Sequence, residues 1–85
     1  MELIFSPKSL KDADFWKRNA QVQERITNLL DAIMKAPFEG IGKPEPLKHN
    51  LSGCWSRRIN QEHRLVYEII GNEIHILSMK GHYKD

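Results

Sequence analysis

The chain has 85 residues, 40% hydrophobic and 28% charged, with a formal net charge of +2; these values describe one globular domain spanning residues 1–85 and exclude a disordered chain. No apolar run approaches the roughly 20 residues needed to cross a bilayer, and Met1 to Phe5 leads into polar sequence rather than a signal-peptide core, so a cytoplasmic protein that makes no use of a membrane is expected. The single Cys54 cannot close an internal disulfide, which leaves packing to hold the fold.

Taken in order, Met1 to Phe5 contains Leu3, Ile4 and Phe5 and fits a short first strand. Ser6-Pro7 reads as an N-cap followed by proline at the first helical position, where the missing N–H costs nothing. The spacing predicts a helix from about Pro7 to Arg18 that buries Leu10, Ala13 and either Trp16 or the Lys17 stem and leaves Lys11, Asp12 and the Lys17 charge in water. Asn19 breaks that helix and caps a second one, whose Val22, Ile26, Leu29, Leu30, Ile33 and Met34 recur on one face. Pro37 disfavours helical geometry at Ala36 and ends it. Two amphipathic helices so closely joined read as an antiparallel hairpin laid on one face of a sheet, each buried apolar side chain contributing about 1.5–3 kcal/mol before entropy is subtracted.

Pro37 to Pro46 holds three prolines and two glycines and reads as a loop. Leu47 to Leu51 is expected as a short strand closed by Asn50, Ser52 and Gly53. Cys54 to Ile59 and His63 to Ile70 read as strands around a turn at Asn60 to Glu62, and Glu73 to Met79 as a further strand after the Gly71-Asn72 hairpin signal. Alternation groups Leu65, Tyr67 and Ile69 against Val66, Glu68 and Ile70, and Ile74, Ile76 and Ser78 against His75, Leu77 and Met79. The expected fold class is α+β: a short N-terminal strand, then two antiparallel helices packed on an antiparallel sheet.

Charge is concentrated between Gly40 and Arg64, where Lys43, Lys48, Arg57, Arg58 and Arg64 face only Glu45 and Glu62, a local charge of +3. Convergent cations of this kind point to a polyanion, although scattered charges on a solvated loop give the same count. Turn length decides which of them meet: three loop residues at Asn60 to Glu62 set Arg58 opposite Arg64, a repulsive pair that makes sense with an anion between them. The four histidines, His49, His63, His75 and His82, lack the paired spacing of a metal site, and Cys54 supplies no thiolate set, so neither metal nor cofactor is expected. Cys54 reads as a small buried hydrophobe and Gly40 and Gly42 as turn residues, since neither a phosphate-cradling nor a dinucleotide fingerprint is present. What remains is Glu45, Lys48, His49, Arg58, Glu62, Arg64, His82 and Tyr83. Metal-free RNA cleavage needs a base for the 2'-OH proton, cations for the charge gathering on phosphorus and an acid for the leaving 5'-oxygen, and this set contains each.

The run KPEPLKHNLSGCWSRRINQEHRLVY from Lys43 to Tyr67, with GHY at Gly81 to Tyr83 and PFEGIGKPEPL from Pro37, resembles the YoeB/Txe branch of the RelE toxin superfamily over essentially the whole chain. The resemblance implies a compact microbial-ribonuclease-like α+β domain that cleaves mRNA on the ribosome as the toxin of a type II toxin–antitoxin pair, neutralised by an antitoxin whose C-terminal segment wraps it. It also implies Glu45 as general base, Arg64 as transition-state cation and His82 as general acid, with Tyr83 positioning substrate and Lys48, His49, Arg58 and Glu62 as active-site neighbours. Lys84 and Asp85 extend past the family's usual final tyrosine, and Cys54 stands where a larger apolar residue is expected. The small surface of one chain is compatible with a homodimer.

Two other readings use the same residues. An RNA-binding module without catalysis needs the basic face but no ordered acid and base, and loses only affinity when Glu45 is replaced. A protein-interaction module uses the basic groove for an acidic segment.

Overall fold

A computed structural model describes residues 1–82; Tyr83, Lys84 and Asp85 lie outside the described residues. Strand β1 (Glu2–Phe5) leads into helix α1 (Pro7–Phe15), a 3-10 turn (Trp16–Arg18), helix α2 (Ala20–Lys35), strand β2 (Glu45–Pro46), a 3-10 turn (His49–Leu51), and strands β3 (Cys54–Arg58), β4 (Arg64–Ile70) and β5 (Glu73–Ser78). The five strands form one mixed sheet in the order β1-β5-β4-β3-β2, antiparallel except that β1 runs parallel to β5. Among the described residues no helix is long and apolar enough to cross a membrane.

The caps follow the sequence. The Ser6 hydroxyl accepts from the Ser9 N–H at 3.0 Å with Pro7 at the first helical position, and the Asn19 side-chain Oδ1 accepts from the Val22 N–H at 3.0 Å. From α2, Ile26, Leu29 and Ile33 join Trp16, Leu65, Tyr67, Ile74 and Ile76 in the main core. Met34, expected on that stripe, is 44% exposed, because it falls at the edge of a face whose centre is Leu29 and Ile33.

Helix α1 departs further from expectation. Leu10 is 57% exposed, while Ser9 and Asp12 are buried beside Trp16. The helix is docked by polar bonds rather than by an apolar stripe: Asp12 accepts from the Met79 N–H at 2.9 Å and from Lys8 at 2.9 Å, and the Trp16 indole donates to the Met79 carbonyl at 2.8 Å. A buried carboxylate with two donors is satisfied, whereas one left in the core without them would cost several kcal/mol.

Two more corrections concern the sheet. Leu47–Leu51 is not a strand: the pairing residues are Glu45 and Pro46, opposite Ser56 and Trp55, and the following segment turns in a 3-10 helix. Met79, expected on the side of His75 and Leu77, instead joins the main core. Between the Tyr67–Ile76 and Val66–Ser78 pairs β5 supplies one extra residue, Leu77, and this bulge reverses the alternation after it. On the opposite face of the sheet Leu47, Cys54 and Val66 form a smaller cluster with Leu51 and Leu77.

Candidate active site

The cleft is built on the sheet face away from the helices. The three-residue turn after β3 is held by the Asn60 side chain, which accepts from the N–H groups of Glu62 and His63 at 3.0 and 2.8 Å. This turn sets Arg58 directly opposite Arg64. Strand alternation then sends Ser56 and Arg58 to the cleft and Arg57 to the other face. The Gly42 carbonyl accepts from the Arg58 N–H at 2.7 Å, which seats the preceding loop on β3 and delivers Lys43 and Glu45 beside it. Lys43 has φ of +50°, a left-handed conformation that is uncommon for a residue with a side chain.

These elements enclose a cavity of about 290 Å³ lined by Lys43, Glu45, Leu47, Ser56, Arg58, Arg64 and His82. Glu45 on β2 and Arg64 on β4 are separated by one intervening strand, roughly 9–10 Å across the sheet, and are offset by two residues along it, since Glu45 pairs with Ser56 and Ser56 with Val66, which leaves room for a ribose-phosphate linkage between the two side chains. One guanidinium nitrogen of Arg64 donates to the carbonyls of Asn60, Gln61 and His63 at 2.7, 3.2 and 3.2 Å. Those bonds fix the arm while the remaining nitrogens make no bond among the described residues. Likewise among the described residues the side chains of Lys43, Glu45 and Arg58 make no hydrogen bond or ion pair. Three cations and one carboxylate therefore stand in one cleft without neutralising one another, which is the state of a site whose partner is an external anion.

Of the residues singled out in the sequence, Glu45, Arg58, Arg64 and His82 meet here. Lys48 and His49 are exposed and do not line the cavity, and His49 has φ of +56°. Glu62 is on the turn, its carboxylate 3.8 Å from the His63 ring. Tyr83 lies outside the described residues, as do Lys84 and Asp85. Lys43, Leu47 and Ser56 line the cleft although the sequence reading left them out of the site; the register of β2 on β3 explains Ser56, which pairs with Glu45.

Arg57 was counted with the surface cations and does not belong there, for it is fully buried. Its guanidinium donates to the Tyr67 hydroxyl at 3.1 Å and to the carbonyls of Ile41, Ala36 and Glu39 at 3.1, 2.7 and 2.9 Å. Tyr67 in turn donates to the Pro37 carbonyl at 2.6 Å, and burial pushes its phenol above the usual value against the opposing pull of Arg57. Arg57 thus clamps the 36–41 loop that leads to Lys43 and Glu45. Cys54 is buried, and burial together with the nearby Glu68 raises its thiol, so the thiolate needed for nucleophilic attack is disfavoured.

The structure resembles YafQ from Escherichia coli at a TM-score of 0.79 and 13% identity, covering 94% of this chain and 91% of that one, which defines the class as the RelE/YafQ-like α+β fold. Other likenesses run deeper. The profile described as "YoeB-like toxin of bacterial type II toxin-antitoxin system" matches residues 5–83. Toxin YoeB of Escherichia coli K12 is 46% identical over 84 residues, 98% of this chain and 100% of the relative. A solved YoeB/ParE toxin from Agrobacterium tumefaciens has a TM-score of 0.94 at 41% identity, with 98% and 100% of the two chains covered. YoeB from Staphylococcus aureus, solved as a dimer and in a complex with YefM, has TM-scores of 0.89 and 0.87 at 46% identity, with 98% of each chain covered. The chain belongs to the YoeB-like family of bacterial type II toxin–antitoxin toxins.

Proposed function

We propose that the chain is a ribosome-dependent endoribonuclease that cleaves translated mRNA without a metal and so blocks translation. The observation that carries this reading is the unpaired Glu45 sharing one cleft with Arg58, Arg64 and His82. Glu45 takes the proton of the 2'-OH, and the 2'-oxygen attacks the adjacent phosphorus. Arg64, with Arg58 and Lys43, holds the charge that gathers on the phosphoryl oxygens. His82 protonates the leaving 5'-oxygen, giving a 2',3'-cyclic phosphate and a 5'-hydroxyl. Lys48, His49, Glu62 and Tyr83, the last outside the described residues, are the proposed substrate contacts.

Ribosome dependence follows from charge. With Arg57 buried, three cations line the cleft, too few phosphate contacts to hold naked RNA at physiological salt, so orientation must come from the ribosome. The cognate antitoxin is proposed to cover this same basic face, supported by the relative crystallised with YefM, and a homodimer is supported by the relative solved as a dimer. A binding module without catalysis is the competing reading.

The test is single-turnover cleavage of mRNA on programmed ribosomes, with cyclic-phosphate ends mapped and EDTA added under conditions that keep the ribosome intact. Parental protein is expected to cut, Glu45→Gln to be slowed by about 10²-fold or more, and a 2'-deoxy scissile nucleotide to be inert. Cleavage of the deoxy substrate, or an unaltered rate in Glu45→Gln, overturns the mechanism.

A further inference from the structure

After the bulge in β5 the chain leaves the sheet, yet it does not fray. Both polar groups of Met79 are bound from the helical layer, its N–H by Asp12 and its carbonyl by Trp16. Two residues on, Gly81 is gripped in the same way from the start of β4. Its carbonyl accepts from the Arg64 N–H at 2.9 Å, and its N–H donates to Nδ1 of His63 at 3.0 Å. The next residue is His82, at the cleft. A terminal segment held by four such bonds has a defined course. The fourth is made to an imidazole nitrogen, which accepts a hydrogen bond only while it carries no proton.

His63 is well placed for this. Its side chain is only 20% exposed, and its ring meets Trp16 edge to face, with centroids 5.0 Å apart and planes at 81°. With Nδ1 accepting, the neutral ring must carry its proton on Nε2, which faces the Glu62 carboxylate at 3.8 Å. The other charged groups around it are the Arg64 guanidinium, which donates to the His63 carbonyl at 3.2 Å, and Lys80 on the terminal segment, whose ammonium sits 4.1 Å from the Phe15 ring centre. From the 3-10 turn, whose other residues are Lys17 and Arg18, it is Trp16 that meets the ring.

We propose that His63 is a positioning residue: its neutral imidazole holds the Gly81 N–H and thereby fixes His82 in the cleft, and protonation of His63 releases that hold. The proposal rests on the reading of His82 as the proton donor. The imidazolium would set an N–H against the N–H of Gly81, so protonation would loosen the segment that carries His82. His63 makes no part of the cleft wall and touches the reaction only through Gly81.

Asparagine separates the roles, since its Oδ1 occupies the place of Nδ1 and accepts a hydrogen bond at every pH between 5 and 8, whereas leucine keeps bulk and accepts nothing. Two measurements are made on the full chain as parent, His63→Asn and His63→Leu. In the first, the Gly81 amide signal is followed by NMR from pH 8 to pH 5. In the parent it is expected to move with the titration of the His63 ring, in His63→Asn to stay at its hydrogen-bonded position, and in His63→Leu to sit at the released position throughout. In the second, single-turnover cleavage on ribosomes is compared at pH 7.5 and pH 6. His63→Asn is expected within about threefold of the parent at pH 7.5 and with a shallower fall at pH 6, and His63→Leu to be slower by about tenfold or more, since small misplacements of a reacting group carry costs of that order. A Gly81 amide indifferent to the His63 titration overturns the proposal, as does a parental rate in His63→Leu. If the parent itself does not cleave, the proposed nuclease function fails, and the amide titration still decides whether His63 holds Gly81.

Discussion

Replacing Arg57 with Met removes a fully buried cation and its four hydrogen bonds while keeping most of the volume. Hydrogen bonds from a charged donor contribute roughly 1.5–3 kcal/mol each, so four represent about 6–12 kcal/mol. Against this stands the desolvation of a guanidinium with no carboxylate beside it, several kcal/mol that the substitution recovers. The carbonyls of Ala36, Glu39 and Ile41 lie in a partly exposed loop, so water takes up some of the lost bonding. The balance is a loss of about 3 kcal/mol, which in a domain of this size lowers the unfolding midpoint by about 12–24 °C. Arg57→Lys should lose nearly as much, because an ammonium on a single stem cannot reach three carbonyls and a phenol together. Thermal unfolding followed by circular dichroism tests this. A midpoint within about 4 °C of the parent in Arg57→Met would refute the clamp, and full rescue by Arg57→Lys would show that charge rather than the forked geometry matters.

His82→Gln should slow single-turnover cleavage on ribosomes by about 10²–10⁴-fold if His82 has the proposed role of proton donor, while the unfolding midpoint stays nearly unchanged because the residue is exposed. Gly42→Ala should destabilise by about 2 kcal/mol or more in urea titrations, since φ is +84° and an added Cβ would come within 2.7 Å of Leu29 Cδ2 and 3.1 Å of Arg57 Cβ. Gly71→Ala, at φ of +58° with no atom within 4 Å, should cost only the backbone term, about 1 kcal/mol. Burial raises both the Cys54 thiol and the Tyr67 phenol, so the folded state keeps protons that the unfolded chain releases. Stability is then complete below the ordinary thiol value of 9.0, falls as pH rises past it and falls again past 10.0; urea midpoints at pH 8 and pH 10.5 should show the loss, and Cys54→Ala should remove its first part.

Wherever one local rule decides the outcome, the sequence was a sufficient guide. The caps at Ser6 and Asn19, the Leu29 and Ile33 stripe, and the Arg58–Arg64 register all follow from neighbours a few residues apart. Reading failed where polar groups were buried or pairing was long-range. Periodicity counts apolar side chains, so it chose Leu10 and passed over Ser9, whose hydroxyl donates to the Ser6 carbonyl, and Asp12, whose burial is compensated by Met79, 67 residues away. A two-residue strand containing proline gives no strand signal, and Pro46 is tolerated there because β2 is an edge. Arg57 shows a rule available but unused: strand alternation already sends adjacent arginines to opposite faces. Glu45, Arg58, Arg64 and His82 were legible as a chemical set, while Lys43 and His63 acquire a place only once the loop and the terminal segment are seen in three dimensions.

The strand order has a consequence for how such a protein is made. The last strand, β5, lies inside the sheet between β1 and β4, and helix α1 is docked through Met79 just beyond it. Until residues 73–79 have emerged from the synthesising ribosome, β1 has no neighbour, α1 lacks its bonds to Met79, and only β2, β3 and β4 are available to pair. His82 follows three residues after Met79, so the cleft is completed by the same stretch of chain that completes the fold. A chain built in this order completes its candidate cleft no earlier than its fold.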